Sequence, residues 1–333
     1  MGYFVPSLPR INERKMVIIM RKISMSNNAD LSVNEMFETY IKKCIIKNLS
    51  EQTIKCYKKN YSIFERYING STPINLINGN TIDNFILYLR ENNQCNDITI
   101  NSYLRSIRAF LYFCMDGGYL KQFTIHMPKV DKKIKKTYSE EELKLLLKKP
   151  DIKKCSFKEY RMWVFSNYLL ATGNRISSAL NLKIEDLDFA NSLIYVNKTK
   201  NRKSQIIPMS STLSSILQEY LIYRNGKPND YVFCTVTGEK SSLRGFEDSL
   251  AEYNISRGVV KTSAHLYRHT FAKQWILNGG DIFRLQKMLG HSDLTVVKEY
   301  VNMFGNDLAK DFEKFNPLDK LGINQTKNKI KMK

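Results

Sequence analysis

Residues 126 to 137 carry five lysines and no apolar period, and this interruption decides how the rest of the chain can fold. On either side, apolar side chains recur every three or four residues, the spacing that gives an α-helix one buried stripe. Within the interruption, His126-Met127-Pro128-Lys129-Val130-Asp131 runs into Lys132, Lys133, Ile134, Lys135 and Lys136, with no such stripe. A chain broken in this way forms two separately cored units joined by an extended basic linker. At 333 residues it has length enough for about two domains.

Ahead of the break, Ser32 and Glu35 form a capping box, and Val33, Met36, Phe37, Tyr40, Ile41 and Cys44 follow at helical spacing. A second helix is predicted from Ser50, with Ile54, Tyr57, Tyr61 and Phe64 on one face. A third begins near Thr81 with Ile82, Phe85, Ile86 and Leu89. The fourth begins near Thr99 and carries Ile100, Tyr103, Leu104, Ile107, Phe110 and Cys114, with Gly117-Gly118 ending it through positive φ. Four amphipathic helices on short polar loops make a helical bundle. Its polar face is basic, with Lys42, Lys43, Lys47, Lys55, Lys58, Lys59, Arg66, Arg105 and Arg108 between the apolar positions. Most of these suit a solvated helix surface, and Arg105 and Arg108 are the better candidates for phosphate contact.

Beyond the break, Ser139 and Glu142 form a second capping box before Leu143, Leu146 and Leu147. A longer helix from about Lys158 to Thr172-Gly173 is followed by a short one at Arg175–Leu182. The period then changes: Leu193-Ile194-Tyr195-Val196 and Gln205-Ile206-Ile207-Pro208 flank the basic turn Lys200-Asn201-Arg202-Lys203, a β-hairpin pattern. Helices resume from about Ser211 to Arg224, and Tyr231–Cys234 reads as a short extended segment. The fold class is therefore mainly α with a small β-sheet or hairpin, in two domains. The boundaries are an N-terminal extension expected to be disordered (1–30), a helical domain (31–125), the basic linker (126–138), a second domain (139–316) and a basic C-terminal tail (317–333).

The charge narrows the partner. Lys and Arg number 52 against 32 Asp and Glu, a net +20 spread along the chain. Such a surface favours a polyanion, because each phosphate neutralised releases a condensed counterion. The six cysteines lie far apart, with no CxxC pair and no Cys/His cluster at metal-ligand spacing. They read as buried free thiols of a reducing compartment. No apolar run has the length of a membrane span or a signal-peptide core, so a cytoplasmic location without a membrane partner is expected.

Three of the four histidines fall between Ala264 and Tyr300. His265 and Arg268 stand at i and i+3 of a predicted helix, with His269 at i+4, so the three share a face. Alone, that pattern fits a basic helix surface with one packed histidine. Its company changes the reading.

Four motifs in order resemble the tyrosine recombinase (phage integrase) family, including integrases of bacterial mobile elements, over about residues 31 to 316. Ala171-Thr172-Gly173-Asn174-Arg175-Ile176-Ser177-Ser178-Ala179-Leu180 is similar to the first family box, with Arg175 as its arginine. Thr199-Lys200-Asn201-Arg202-Lys203-Ser204-Gln205-Ile206-Ile207-Pro208-Met209 is similar to the hairpin that bears the family's lysine. Lys198, Lys200 and Lys203 all lie there, and alignment back from Pro208 favours Lys200. His265-Leu266-Tyr267-Arg268-His269-Thr270-Phe271-Ala272 matches the second box. Leu289-Gly290-His291-Ser292 supplies a further histidine, and Tyr300 follows at the family's usual distance.

The resemblance implies a two-domain DNA clamp, with an all-α, four-helix, SAM-like core-binding domain and a mixed, mostly helical catalytic domain. It implies a site-specific DNA recombinase that joins strands through a 3′-phosphotyrosyl bond on Tyr300, without metal or cofactor. The catalytic set would be Arg175, Lys200, His265, Arg268, His291 and Tyr300. In that scheme the two guanidiniums hold the non-bridging oxygens, and Lys200 protonates the leaving 5′-oxygen. His265 orients or deprotonates the tyrosine, and His291 donates to a phosphate oxygen. An unperturbed phenol ionises near pH 10, so cationic surroundings that favour phenolate are needed. His269 is expected to be structural. The implied partners are double-stranded DNA with specific recombination sites, further copies in a homotetramer, and an accessory directionality factor.

Two positions depart from the family pattern. Asn174 replaces an aliphatic residue, and Ser178 replaces the carboxylate three residues after the arginine. The missing carboxylate motivates a second hypothesis, a catalytically silent DNA-binding accessory protein. A third is a type I topoisomerase of the same chemistry acting alone. Within recombination, integration and excision of a mobile element is the expected role, with Xer-like resolution of chromosome or plasmid dimers as the alternative.

Overall fold

The computed structural model describes residues 31–92, 95–130, 136–197, 204–290 and Tyr300. The chain divides into two compact units between Lys132 and Lys133.

The first unit is helical. Helices α1 (Val33–Ile46), α2 (Glu51–Ile68), α3 (Gly79–Glu91) and α4 (Asp97–Asp116) each begin at a side-chain cap. Ser32 with Glu35 makes the anticipated box, and Ser50 caps α2. Asn78 and Asn96 start α3 and α4 slightly earlier than the apolar period alone indicates, since each amide oxygen accepts a backbone N–H of the first turn. Gly118, at φ +76°, supplies the left-handed turn after α4, while Gly117 keeps a right-handed backbone.

Aromatic rings fill the centre of this bundle. Phe37 stacks on Tyr61 at 3.6 Å between centroids and meets Phe110 edge-on at 5.3 Å. Buried Asn60 of α2 donates to Ser106 Oγ of α4 at 2.8 Å and to the Ser102 carbonyl, so its polarity is satisfied inside the core. The opening of the lysine-rich stretch is docked rather than extended into solvent. Ile125 is buried, Met127 packs on the same core, and Asn101 donates to the Pro128 carbonyl at 2.9 Å. The basic residues Lys42, Lys43, Lys47, Lys55, Lys58, Lys59, Arg66 and Arg105 are exposed.

The second unit opens with Tyr138, buried, whose backbone N–H donates to Thr270 Oγ1 at 2.9 Å. Helix α5 (Glu140–Leu147) starts at the Ser139–Glu142 box. Helix α6 (Phe157–Thr172) is apolar nearly all round and forms the centre of the unit. It stops at Gly173, and the four-residue helix α7 (Ile176–Ala179) follows. The hairpin is present as β2 (Leu193–Val196) and β3 (Gln205–Pro208), antiparallel with Ile194 opposite Ile207. A strand not anticipated, β1 (Leu187–Asp188), adds to the outer edge of β2 and gives the sheet order β1-β2-β3. Helices α8 (Ser211–Arg224), α9 (Leu243–Ser256), α10 (Ala264–Leu277) and α11 (Ile282–Leu289) complete the described unit. The helix expected at 307–315, the terminal segments 1–30 and 317–333, and the tip of the hairpin lie outside the described residues. Among the described residues no helix is long and apolar enough to cross a membrane, and all six cysteines are free thiols, with Cys44, Cys114 and Cys234 buried as expected but Cys95 and Cys155 half-buried and Cys56 exposed.

Because both tryptophans, Trp163 and Trp275, lie in the second unit, the two cores can be read separately. Phe37→Ala, which removes the stacked ring, is expected to destabilise the first unit by about 3 to 5 kcal/mol. In urea the circular-dichroism transition should split, with an early helical loss and an unchanged tryptophan fluorescence transition.

Candidate active site

Helix α10 carries the second motif, and its orientation follows from which side chains anchor it. Tyr267 is fully buried, and its hydroxyl donates to Asn254 Oδ1 of α9 at 3.2 Å and shares a 3.0 Å hydrogen bond with the Ser166 hydroxyl of α6. Asn254 in turn donates to Tyr138 Oη at 2.9 Å and to the Lys261 carbonyl at 2.8 Å. Thr270, one turn on, receives the Tyr138 N–H. With Tyr267 and Thr270 committed to the core, the 3.6-residue period turns His265, Arg268 and His269 to another side of the helix.

Arg268 is the most constrained of the three. Its guanidinium, 5% exposed, donates from Nη1 to the Gly173 carbonyl at 2.8 Å and from Nη2 to the Leu289 carbonyl at 2.7 Å. These bonds tie α10 to the end of α6 and the end of α11. Burial, and next the positive charge of Arg175, push the Arg268 pKa down to about 10, against an opposing pull from Tyr300. Arg268 therefore stays cationic at neutral pH, in a place where its charge is under pressure. Arg175, the residue that caps α7, is half-buried, and burial lowers its pKa while Tyr300 raises it. Both guanidiniums thus sense the phenol of Tyr300.

Glycines make this closeness possible. Gly173 ends α6 in the left-handed conformation at φ +62°, and a Cβ there would lie 2.4 Å from Phe271 Cδ1 and 2.9 Å from Leu289 Cδ2. Gly290, left-handed at φ +60°, ends α11, and a Cβ on it would stand 3.1 Å from Gln205 Oε1 and 3.9 Å from Arg175 Nη1. At both positions the left-handed backbone favours glycine, and at Gly173 the close side chains add to that demand.

The hairpin is clamped at both sides of its tip. Before the tip, Asn197 donates to the carboxylate of buried Asp186 at 2.8 Å. After it, Gln205 Nε2 donates to the Lys287 carbonyl at 2.8 Å and to the Met288 carbonyl. The Met288 and Leu289 carbonyls at the end of α11 are thereby met by Gln205 and Arg268, and the Lys287 carbonyl accepts from Gln205 as well as from the Gly290 backbone N–H. Neither Gln205 nor Asp186 stands out in the sequence, because a side-chain bond to a distant carbonyl leaves no periodic mark.

Tyr300 is 1% exposed and packs with Ala272, Leu285 and Leu289. Its hydroxyl makes a 2.6 Å hydrogen bond with Nδ1 of His269, the rings tilted by 50°. His265 is exposed one turn earlier, its ring stacked beside that of His269 at 6.5 Å between centroids. The structure thus gathers Arg175, Arg268, His265 and Tyr300, and it adds His269, which sequence reasoning left as structural. Lys200, with its neighbours Lys198 and Lys203, and His291 lie outside the described residues.

The two departures differ in consequence. Asn174 donates to Tyr168 Oη at 2.7 Å, so the amide that replaces an aliphatic side chain satisfies a fully buried phenol. Ser178 is buried, a hydroxyl where the carboxylate would be.

The fold of the two units is that of the DNA strand-exchange enzymes called tyrosine recombinases. Residues 136–306 match the phage integrase family and residues 32–134 its SAM-like domain; this chain belongs to the phage integrase family. It is similar to the tyrosine recombinase XerD of Listeria monocytogenes serotype 4b (strain F2365), 26% identical over 305 residues that span 86% of this chain and 99% of that protein. Among solved structures, the Tn1549 transposon integrase in complex with transposon right end DNA has TM-score 0.68 at 20% identity, covering 86% of this chain and 99% of that one. XerH site-specific recombinase bound to a palindromic difH substrate has TM-score 0.66 at 21% identity, covering 84% of each.

Gly173→Ala tests the packing that seats Arg268. Positive φ and the clash with Phe271 together should lower the unfolding free energy by roughly 2 to 4 kcal/mol, measured by urea denaturation of the second unit's fluorescence transition.

Proposed function

We propose that this protein is a site-specific DNA recombinase that cuts and rejoins strands through Tyr300, in a homotetramer on two DNA sites, to integrate and excise a mobile element. The observation that carries the reading is the convergence of Arg175, Arg268 and Tyr300 at the end of α11: Arg268 bonds the Leu289 carbonyl, Arg175 stands beside Gly290, and the Tyr300 ring packs on Leu289. A phosphodiester held by two such cations presents its phosphorus to the tyrosine oxygen, and the charge gathered in the pentacoordinate transition state falls between two guanidiniums.

The reaction follows in balanced steps. The Tyr300 oxygen bonds to phosphorus while the bond from phosphorus to the 5′-oxygen breaks, and the leaving alkoxide takes a proton from Lys200. Attack by a 5′-hydroxyl of the other strand reverses the sequence and releases Tyr300. The energy of the phosphodiester is kept in the phosphotyrosyl bond, so no nucleotide hydrolysis is needed. By the family pattern His291 donates to a phosphate oxygen and His265 orients or deprotonates Tyr300. The exposed lysines of the helical unit, with Arg105 and half-buried Arg108 on α4, supply backbone-positioning contacts to the duplex. A cytoplasmic location and an accessory directionality factor belong to the same reading.

Likeness to the Tn1549 transposon integrase fold supports the mobile-element role. A second role, resolution of chromosome or plasmid dimers, is supported by the match to XerD over 99% of that protein's length. Mapping cleavage sites in DNA flanking the gene separates them: sites at the ends of an element support the first, and a single chromosomal site away from any element supports the second.

Incubation with a nicked suicide substrate containing such a site should trap protein covalently on DNA. Tyr300→Phe is expected to abolish the adduct. Arg268→Lys, which loses the planar fork and its two carbonyl bonds, should slow adduct formation by about 100- to 1000-fold. An adduct formed normally by Tyr300→Phe would show that another residue is the nucleophile.

A further inference from the structure

The hydroxyl that attacks in the proposed reaction is not bare in the structure. It shares a 2.6 Å hydrogen bond with Nδ1 of His269. Three features make this contact more than a chance pairing of polar groups. The phenol is 1% exposed and its ring is packed among Ala272, Leu285 and Leu289, which fixes where its oxygen lies. His269 lies on α10 one residue after Arg268, whose two carbonyl bonds and buried guanidinium fix that turn of helix. Arg175 and Arg268 both sense Tyr300 electrostatically, so the phenol held by His269 is the one beside the guanidinium pair.

We infer that His269 is a further catalytic residue of this protein, the group that holds the Tyr300 hydroxyl in line and receives its proton as the oxygen bonds to phosphorus. The inference rests on Tyr300 being the nucleophile. It changes the role of His265, to which the family pattern gives orientation or deprotonation of the tyrosine. His265 is exposed, in the first turn of α10, and its ring stacks beside that of His269. Of the two imidazoles, the one shown bonded to the phenol is that of His269.

The proton balance is simple. With neutral His269 in the tautomer that carries its proton on Nε2, Nδ1 accepts the hydrogen bond from the phenol. As the phosphorus–oxygen bond forms, the proton passes to Nδ1 and leaves an imidazolium. At the other side of phosphorus the 5′-oxygen leaves with a proton from Lys200. Rejoining reverses both transfers: the imidazolium returns its proton to the departing tyrosine oxygen. An imidazole, which changes charge near neutrality, suits both directions. Among the described residues, the charged and titratable groups around it include Tyr300 and His265, with the guanidiniums of Arg175 and Arg268 beside Tyr300.

The test uses the full chain, its mapped site in a nicked suicide substrate, and single-turnover adduct formation. His269→Ala is expected to cleave at least about 100-fold more slowly while binding the same DNA with unchanged affinity, and added imidazole should restore part of the rate. His269→Gln keeps a polar side chain beside the phenol but cannot take its proton, and should be equally slow; it also decides the question if the alanine variant folds poorly. A substrate with sulfur in place of the 5′-bridging oxygen needs no proton on its leaving group, so it should relieve Lys200→Ala and leave His269→Ala slow. A cleavage rate near that of the parent for either His269 variant, a faster one, or full rescue by the sulfur substrate would overturn the assignment. If the parent adduct survives in Tyr300→Phe, the nucleophile is wrong instead, which is a different result.

Discussion

A single buried guanidinium organises this molecule's candidate site. Arg268 bonds the carbonyl that ends α6 and the carbonyl that ends α11, so three helices distant in sequence converge on one side chain. The C-terminal end of a helix carries partial negative charge, and a cation placed there is favoured. The arrangement still leaves strain of an electrostatic kind, since burial and neighbouring Arg175 both depress the Arg268 pKa, to about 10. A site of this kind favours an anion, and in the proposed reaction a phosphate between the two arginines would relieve the repulsion between them, the pentacoordinate transition state more so.

Everything else in the second unit keeps that guanidinium in place. Tyr267 and Thr270 spend one face of α10 on the core through Ser166, Asn254 and Tyr138, leaving its other positions for the site. Gly173 and Gly290 allow the chain to pass where a side chain would collide. Asp186 holds Asn197 and Gln205 bonds the end of α11, so strand β3 is joined to the same end of α11 that Arg268 holds. The first unit contributes a separate aromatic core and an exposed basic face, suited to backbone contacts that are salt-dependent and indifferent to sequence.

The sequence revealed much of this and missed the rest for identifiable reasons. Helices with a strong apolar period and a capping side chain, such as those begun by Ser32 and Ser139, are legible because both signals are local. The hairpin is legible because two short β-branched runs around a basic turn fit no helical period. Strand β1 has only two residues, too few for any period, and exists because β2 offers an edge. Docking of Ile125, Met127 and Pro128 on the first core was hidden by the lysines that follow them. At the site, motif spacing picks out Arg175, His265, Arg268 and Tyr300, and the structure draws them together. Spacing does not distinguish His265 from His269. Both sit on the same helical stripe, and which imidazole meets the phenol is decided by a contact across 31 residues of chain, not by any local pattern.

The central claim, that a buried tyrosine beside two arginines and an imidazole is the point of covalent attachment to DNA, is tested most directly by locating the bond itself. Trapped adduct can be digested with nuclease and protease and the modified peptide sequenced by mass spectrometry. The account predicts a nucleotide joined through its 3′-phosphate to the side chain of Tyr300 and no other modified peptide. A nucleotide carried through a 5′-phosphate, or attached to any residue other than Tyr300, would contradict it.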